Sequence, residues 1–382
     1  MILKFCEALK KNKANISLVI PYISKSGIQN IFDFYGVKTS FNIIPLPLFR
    51  LETKRYITSR INSLFPFLSL LIILFKKPDV LYVRDPSLLY ILSKLKKKFP
   101  FLFKNRLLVA EVHELVSDIV PKHIRKEQHK REYFSYSTAD KIVAMTNNLK
   151  RIMIERFSIS TNKILVAHDG TDLTIYKPFD KKASRQKLDI PLDKNIVVYT
   201  GHLYNWKGTK TLAEAVKNLD NTILYIVGGS EKDRSDFINF IRRRGIKNVT
   251  LPGFVRPTLI PYYTASADVL VLPNTGKVNV AKYYTSPLKL FEYMAAKRPI
   301  IASDIPNLRE ILRHNVSALL VKPDDPEAFA KAIKKLLKNK ALGKRLAKEA
   351  YKNVKKYTWY NRAKSVLRFL LSTSLYNNHA AG

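Results

Sequence analysis

The chain has 382 residues, 46% of them hydrophobic, which is too long for one ordinary core and apolar enough for two. Lys and Arg number 67 against 30 Asp and Glu, a formal net charge of +37. Such a charge bears on partners and solubility rather than on fold. A single cysteine, Cys6, excludes an intrachain disulfide framework and gives no sign of an oxidising compartment.

The first predicted element is a helix: Ile2, Leu3, Phe5, Cys6 and Leu9 make one apolar stripe. A doubly wound domain ordinarily opens on a strand and a glycine turn, so its first strand reads as absent. The opening MILKFCEALKKNK has neither a long apolar core nor a small-residue cleavage site, so no secretory leader is expected.

Short β-branched runs follow, starting at Ile16, Phe41, Val80, Arg106, Lys141 and Lys163 in the first half. Further runs start at Asn195, Thr222, Val249, Asp268, Pro299 and Ser317 in the second. Most are apolar on both faces, as buried parallel strands are, and helical patterns lie between many of them. The apolar run Leu64–Phe75 contains Pro66 and is shorter than the ~20 residues a spanning helix needs. It reads as a buried or an interfacial helix, and the expected location is cytoplasmic.

A polar stretch with Pro178 and Pro191 separates two sets of βα units. The predicted organisation is a first Rossmann-like domain over 1–180 and a linker over 181–194. A second Rossmann-like domain follows over 195–358, and a final amphipathic helix over 359–382 is expected to pack back across the domains. The fold class is α/β, with two doubly wound domains facing across a cleft and ligands beyond the carboxyl ends of the strands.

Within the second half, TSPLKLFEYMA places Ser286 as a helix N-cap and Pro287 at the first helical position. Lys289 and Glu292 then share a face. The helix N-terminus and Lys289 suit a phosphate, and Glu292 suits the vicinal hydroxyls of a ribose. A solvated ion pair on an ordinary helix has the same spacing. GHLYNWKG, Gly201–Gly208, follows a strand and holds Lys207, either a second diphosphate ligand or a surface lysine. In EVHE, His113 ends a strand, as a structural histidine or as a hydrogen-bond partner for a sugar hydroxyl. Asp85, Asp169, Gly170 and Asp172 read as structural or hinge residues.

The blocks GHLYNWKGTKTLAEAV, LYIVGG, LPGFV, ADVLVLPN and SPLKLFEYMAAKRPIIASDIPNLREIL resemble, in order and separation, the donor-binding domain of family 4 (group 1) glycosyltransferases, which have the GT-B fold. The resemblance covers about residues 190–360 strongly and 1–180 more loosely. It implies transfer of a sugar from a nucleotide-diphosphate donor, with retention at the anomeric carbon. By resemblance, Lys207 and Lys289 bind the diphosphate and Glu292 the ribose. Ser286, Pro287 and Leu288 form the turn facing the donor, Gly201 and His202 lie beside it, and His113 meets the donor sugar. His113, Lys207 and Lys289 are the implied catalytic residues. The chain departs from the family at Tyr284, where a glutamate is common, and at His202, where an arginine is common.

No Asp-x-Asp motif and no His/Cys cluster occurs, so neither a metal nor another cofactor is implied; the nucleotide sugar is a co-substrate. The expected acceptor is a saccharide or a lipid-linked intermediate of polysaccharide biosynthesis. The basic charge fits peripheral contact with an anionic membrane, or simply a lysine-rich composition. Two other readings stay open: a truncated or degenerate relative that binds a nucleotide sugar without activity, and a basic nucleic-acid binder.

Overall fold

The computed structural model describes residues 1–21, 31–46, 65, 68–73 and 75–372; the apolar run Leu64–Phe75 falls partly outside them. All twelve β-branched runs form strands, and every pairing between them is parallel. The chain divides into two compact units, Met1–His168 with Tyr360–Gly382, and Asp169–Trp359. The division falls earlier than the expected linker, and the end of the chain rejoins the first unit.

In the first unit, helix α1 (Ile2–Lys11) precedes strands β1 (Ser17–Pro21) and β2 (Asn42–Leu46), which pair only with each other. One side of α1 puts Leu3 and Cys6 against Phe41, with Leu18 and Ile43 packed beside them. On the same helix, Phe5 lies 5.7 Å from the Tyr82 ring, centroid to centroid. Tyr82 is on β3 (Val80–Val83), so α1 covers both sheet pieces.

Helix α2 (Pro86–Lys98) follows, started by Asp85, whose side chain accepts from the Leu88 N–H. Then come β4 (Leu107–Val112), α3 (Val116–Ile119), α4 (Arg125–Thr138), β5 (Lys141–Ala144), α5 (Asn147–Phe157) and β6 (Ile164–Val166). The sheet order is β3-β4-β5-β6. All six residues of β4 are buried, five of them apolar as in a strand covered on both faces and the sixth the carboxylate Glu111.

The second unit contains α6 (Lys181–Lys187), β7 (Asn195–Thr200), α7 (Thr209–Val216), β8 (Thr222–Val227), α8 (Glu231–Arg243), β9 (Val249–Gly253), α9 (Ile260–Ser266) and β10 (Val269–Leu272). It continues with α10 (Leu288–Ala295), β11 (Ile300–Ser303), α11 (Pro306–Arg309), β12 (Leu319–Val321), α12 (Pro326–Lys338) and α13 (Lys340–Val354). The segment read as a linker is thus folded into this unit. From α6, buried Arg185 donates to Asp268 at 2.7 Å and to the Ser266 carbonyl at 2.9 Å. Burial alone would raise the Asp268 carboxyl. Hydrogen bonds from Lys181 and the Ile196 N–H, with the charges of Lys181 and Arg185, more than offset that and hold it below its usual range.

The sheet order is β12-β11-β10-β7-β8-β9. The chain winds outward from β7 to β9, returns to β10 beside β7, and winds the other way. Ligands of such sheets lie at this reversal, beyond the carboxyl ends of the two central strands.

Candidate functional site

The reversal in the second unit falls between β7 and β10, and the loops leaving those strands are locked together. The Thr275 N–H donates to the Trp206 carbonyl at 3.1 Å. Gly208 has a left-handed φ of 70°, and a Cβ on it would come within 1.7 Å of the Pro273 carbonyl oxygen. Only glycine fits there, so the loop carrying Trp206 and Lys207 is pinned against the end of β10.

Helix α10 starts one residue later than the sequence suggests. Pro287 is its N-cap and Leu288 its first residue. Ser286 does not cap the helix: its hydroxyl accepts from the Asp169 N–H at 3.1 Å. The helix is buried on nearly all sides, including Lys289, Leu290, Phe291, Tyr293, Met294 and Ala295. A solvated ion pair is therefore not what Lys289 and Glu292 form.

Lys289 is 8% exposed, and its Nζ has no hydrogen-bond partner. The ammonium sits 3.7 Å from the centroid of the Tyr199 ring, near the end of β7. Gly201, two residues further, forms the other wall: a Cβ there would lie 2.7 Å from Lys289 Nζ. Burial, then the nearby positive charge of Lys207, hold the Lys289 amine well below its ordinary pKa. The natural complement of such a group is an anion entering at the switch point. Glu292, one turn on, accepts a hydrogen bond from Tyr176, and burial raises its carboxyl.

Lys207 packs over the Trp206 ring, 3.6 Å from its centroid, and burial lowers its pKa to about 8. Lys207 and Lys289 are close enough to influence each other's charge, so the structure brings these two predicted cations together with Gly201. His202 is exposed and stacks on Tyr204, with ring centroids 5.0 Å apart and planes at 7°. Tyr284 is fully buried. The place where the resemblance calls for a glutamate is therefore filled by an aromatic core residue.

His113 belongs to the first unit and follows β4. Its Nε2 lies 2.5 Å from a carboxylate oxygen of Glu111, and its side chain is 24% exposed. Sequence reasoning missed the partners of these residues. Tyr199 had a signal, since it shares a strand side with Gly201. Tyr176, Glu111's role and Arg362 had none.

Residues 180–353 match the family model described as glycosyl transferases group 1. The chain is similar to the uncharacterized glycosyltransferase MJ1607 of Methanocaldococcus jannaschii, 25% identical over 252 residues, covering 63% of this chain and 62% of that protein. It is similar also to the D-inositol 3-phosphate glycosyltransferase of a Nocardioides species, 23% identical over 248 residues, with coverage of 60% and 53%. The chain thus spans between about half and three-fifths of the length of these relatives.

Among solved structures, sucrose-phosphate synthase from Thermosynechococcus elongatus superposes with a TM-score of 0.80 at 20% identity, covering 99% of this chain and 92% of that one. Anabaena HepE in complex with UDP and glucose gives 0.75 at 15%, covering 97% and 96%. WaaG, a glycosyltransferase involved in lipopolysaccharide biosynthesis, gives 0.69 at 14%, covering 97% and 95%. These likenesses establish the GT-B fold, and the family match supports the group 1 glycosyltransferases.

A buried amine without an acceptor opposes folding. Replacing Lys289 by methionine is expected to raise the free energy of unfolding by about 1–3 kcal/mol in urea denaturation, and to weaken inorganic pyrophosphate binding at least tenfold by calorimetry. A destabilised Lys289→Met protein that still binds pyrophosphate would show that the lysine serves packing alone.

Proposed function

We propose that the protein is a retaining glycosyltransferase that moves a sugar from a nucleotide-diphosphate donor to a saccharide or lipid-linked acceptor. The observation that carries this reading is the buried Lys289 Nζ, without a hydrogen-bond partner, facing Gly201 at the switch point of the second unit's sheet. The family match over that unit and the GT-B fold support it.

Breaking the anomeric C–O bond leaves negative charge on the departing diphosphate. In this reading Lys207, Lys289 and the N-terminus of α10 meet that charge. They are fixed before the reaction and set in a poorly solvated place, where each positive group counts for more than in water. Losing one such donor typically costs about 3–4 kcal/mol of barrier. These cations supply the positive charge that a divalent ion would bring, so the proposal includes activity without added metal. Glu292, held by Tyr176, would accept hydrogen bonds from the ribose hydroxyls. Backbone groups at Ser286, Pro287 and Leu288, with Gly201 and His202, would line the donor's path, and His113 would meet a substrate hydroxyl.

Tyr284 favours a second reading, in which the donor binds and no transfer follows: a carboxylate that would grip the sugar is replaced by a buried ring. Turnover of the bound nucleotide sugar separates the two.

The proposed location is the cytoplasm, with peripheral contact on an anionic membrane. No helix among the described residues is long and apolar enough to cross one. The support is in the first unit, where Ile119 and Ile124 are 49% and 41% exposed beside exposed Lys122, Arg125, Lys126 and Lys130. Aliphatic tips among lysines and arginines suit the interface of an anionic bilayer. Co-sedimentation with phosphatidylglycerol vesicles, absent with phosphatidylcholine, is the expected result; equal recovery in the supernatant from both would refute the contact.

The donor reading predicts that UDP or GDP raises the melting temperature and that UMP and GMP do not, because the second phosphate is what reaches Lys207 and Lys289. Monophosphates acting as well as diphosphates, or no response to any of the four, would overturn it.

A further inference from the structure

The first unit contains a buried ionic network that the donor site does not use. Glu111, the fifth residue of β4, is buried, and three side chains converge on its carboxylate, two of them from distant parts of the sequence. Tyr82 on the neighbouring strand donates its hydroxyl at 2.5 Å. Arg362, from the C-terminal helix Trp359–Leu371, donates Nη2 to the same oxygen at 3.2 Å. His113 Nε2 meets the other oxygen at 2.5 Å. Arg362 is itself 3% exposed at its side chain. Its Nε donates to the Ala167 carbonyl at 3.3 Å, and its guanidinium lies 4.3 Å from the Phe5 ring centroid.

A buried carboxylate is costly unless paired. Burial pushes the Glu111 carboxyl up, but the Arg362 charge and the hydrogen bonds from His113 and Tyr82 outweigh this, so Glu111 stays ionised. An ionised carboxylate only accepts hydrogen bonds, so the proton between the two side chains sits on His113 Nε2. In the neutral imidazole the other nitrogen, Nδ1, is then an acceptor. Among the described residues no partner is found for it. The ring is hydrogen-bonded at one nitrogen and unengaged at the other, with 24% of the side chain still reachable.

We propose that Glu111 is a positioning residue for His113. It fixes the imidazole with Nε2–H turned into the protein, leaving Nδ1 to accept a hydrogen bond from a substrate hydroxyl, while Arg362 and Tyr82 hold the carboxylate in place. The inference rests on the reading of His113 as a substrate-facing residue. It extends that reading by making the C-terminal helix part of the apparatus that sets one side chain's tautomer. A purely structural Glu111–Arg362 pair, fastening the helix to the sheet, would give the same distances and differs in what its removal does to His113.

Two measurements separate these possibilities. In 15N-histidine-labelled full-length protein, His113 is expected to show an imidazole N–H resonance at Nε2 that is protected from solvent exchange, assigned by its loss in His113→Gln. The signal should lose its protection in Glu111→Gln, whose neutral amide is a weaker acceptor than the carboxylate. This arm needs no substrate, so it stands even if no nucleotide sugar is turned over, an outcome that would count against the glycosyltransferase reading instead. A wild-type His113 with no protected N–H, or with a proton on Nδ1, overturns the proposal.

The second arm is a double-mutant cycle on hydrolysis of the nucleotide sugar that most stabilises the protein. Glu111→Gln is expected to lower kcat about tenfold with little change in KM, and to have no further effect in a His113→Ala background. A Glu111→Gln effect that persists undiminished without His113 marks a structural role. If Glu111→Gln does not fold, Tyr82→Phe, which keeps every charge and the His113–Glu111 contact, takes its place: the protected N–H should exchange faster rather than vanish, and kcat should fall by less, again only when His113 is present.

Discussion

A lysine amine taken out of water and given no acceptor is among the more costly arrangements a small domain can hold. Lys289 is in that position: it is enclosed by Tyr199, the Gly201 backbone and its own buried helix, with a second lysine nearby. Nothing in the second unit's packing requires it. The same helix is otherwise built from Leu290, Phe291, Tyr293 and Met294, and an aliphatic side chain would serve the core better. The proposed donor would complete the arrangement with an anion, and ligands of such sheets lie at the reversal of strand order. The chain reverses direction between β7 and β10, and the loops leaving these two strands are pinned together by the Gly208–Pro273 contact.

The two units use buried charge differently. In the second, Lys207 and Lys289 are like charges held near each other, depressed in pKa and awaiting a partner. In the first, Glu111 already has its partners, and the ion pair with Arg362 keeps it ionised. In the proposed reading, one arrangement stores unfavourable electrostatics that a ligand would relieve, and the other would fix geometry.

Much of this was legible in the sequence. All twelve strands show as β-branched runs, because parallel strands buried on both faces need no alternation to be seen. The order β12-β11-β10-β7-β8-β9 was not legible, since it depends on which strand lies beside which. Lys289 and Glu292 could be placed on one helical face from spacing, but spacing is the same for a solvated pair; only the burial of α10 decides between them. The helix start was misplaced by one residue because the Ser286 hydroxyl, a good cap by residue type, is engaged by the Asp169 N–H. Glu111 and Arg362 lie 251 residues apart, and no local pattern joins them. The linker expected at 181–194 looks polar because α6 is short and basic, yet Arg185 within it is one of the most buried charges in the second unit.

If a diphosphate relieves the depressed pKa values of Lys207 and Lys289, binding it must draw protons onto the protein. The free amines are held below their ordinary values, Lys207 at about 8, and an adjacent diphosphate anion raises them again. Affinity should therefore fall as pH rises through that range. Calorimetry of UDP and GDP binding near pH 8.5, where the nucleotides' own phosphates are fully ionised, in buffers of differing ionisation enthalpy, measures this proton count directly. Net proton uptake in wild type that shrinks in Lys289→Met is the predicted result. Tight binding with no uptake, at an affinity unchanged between pH 7 and pH 9, would contradict the account.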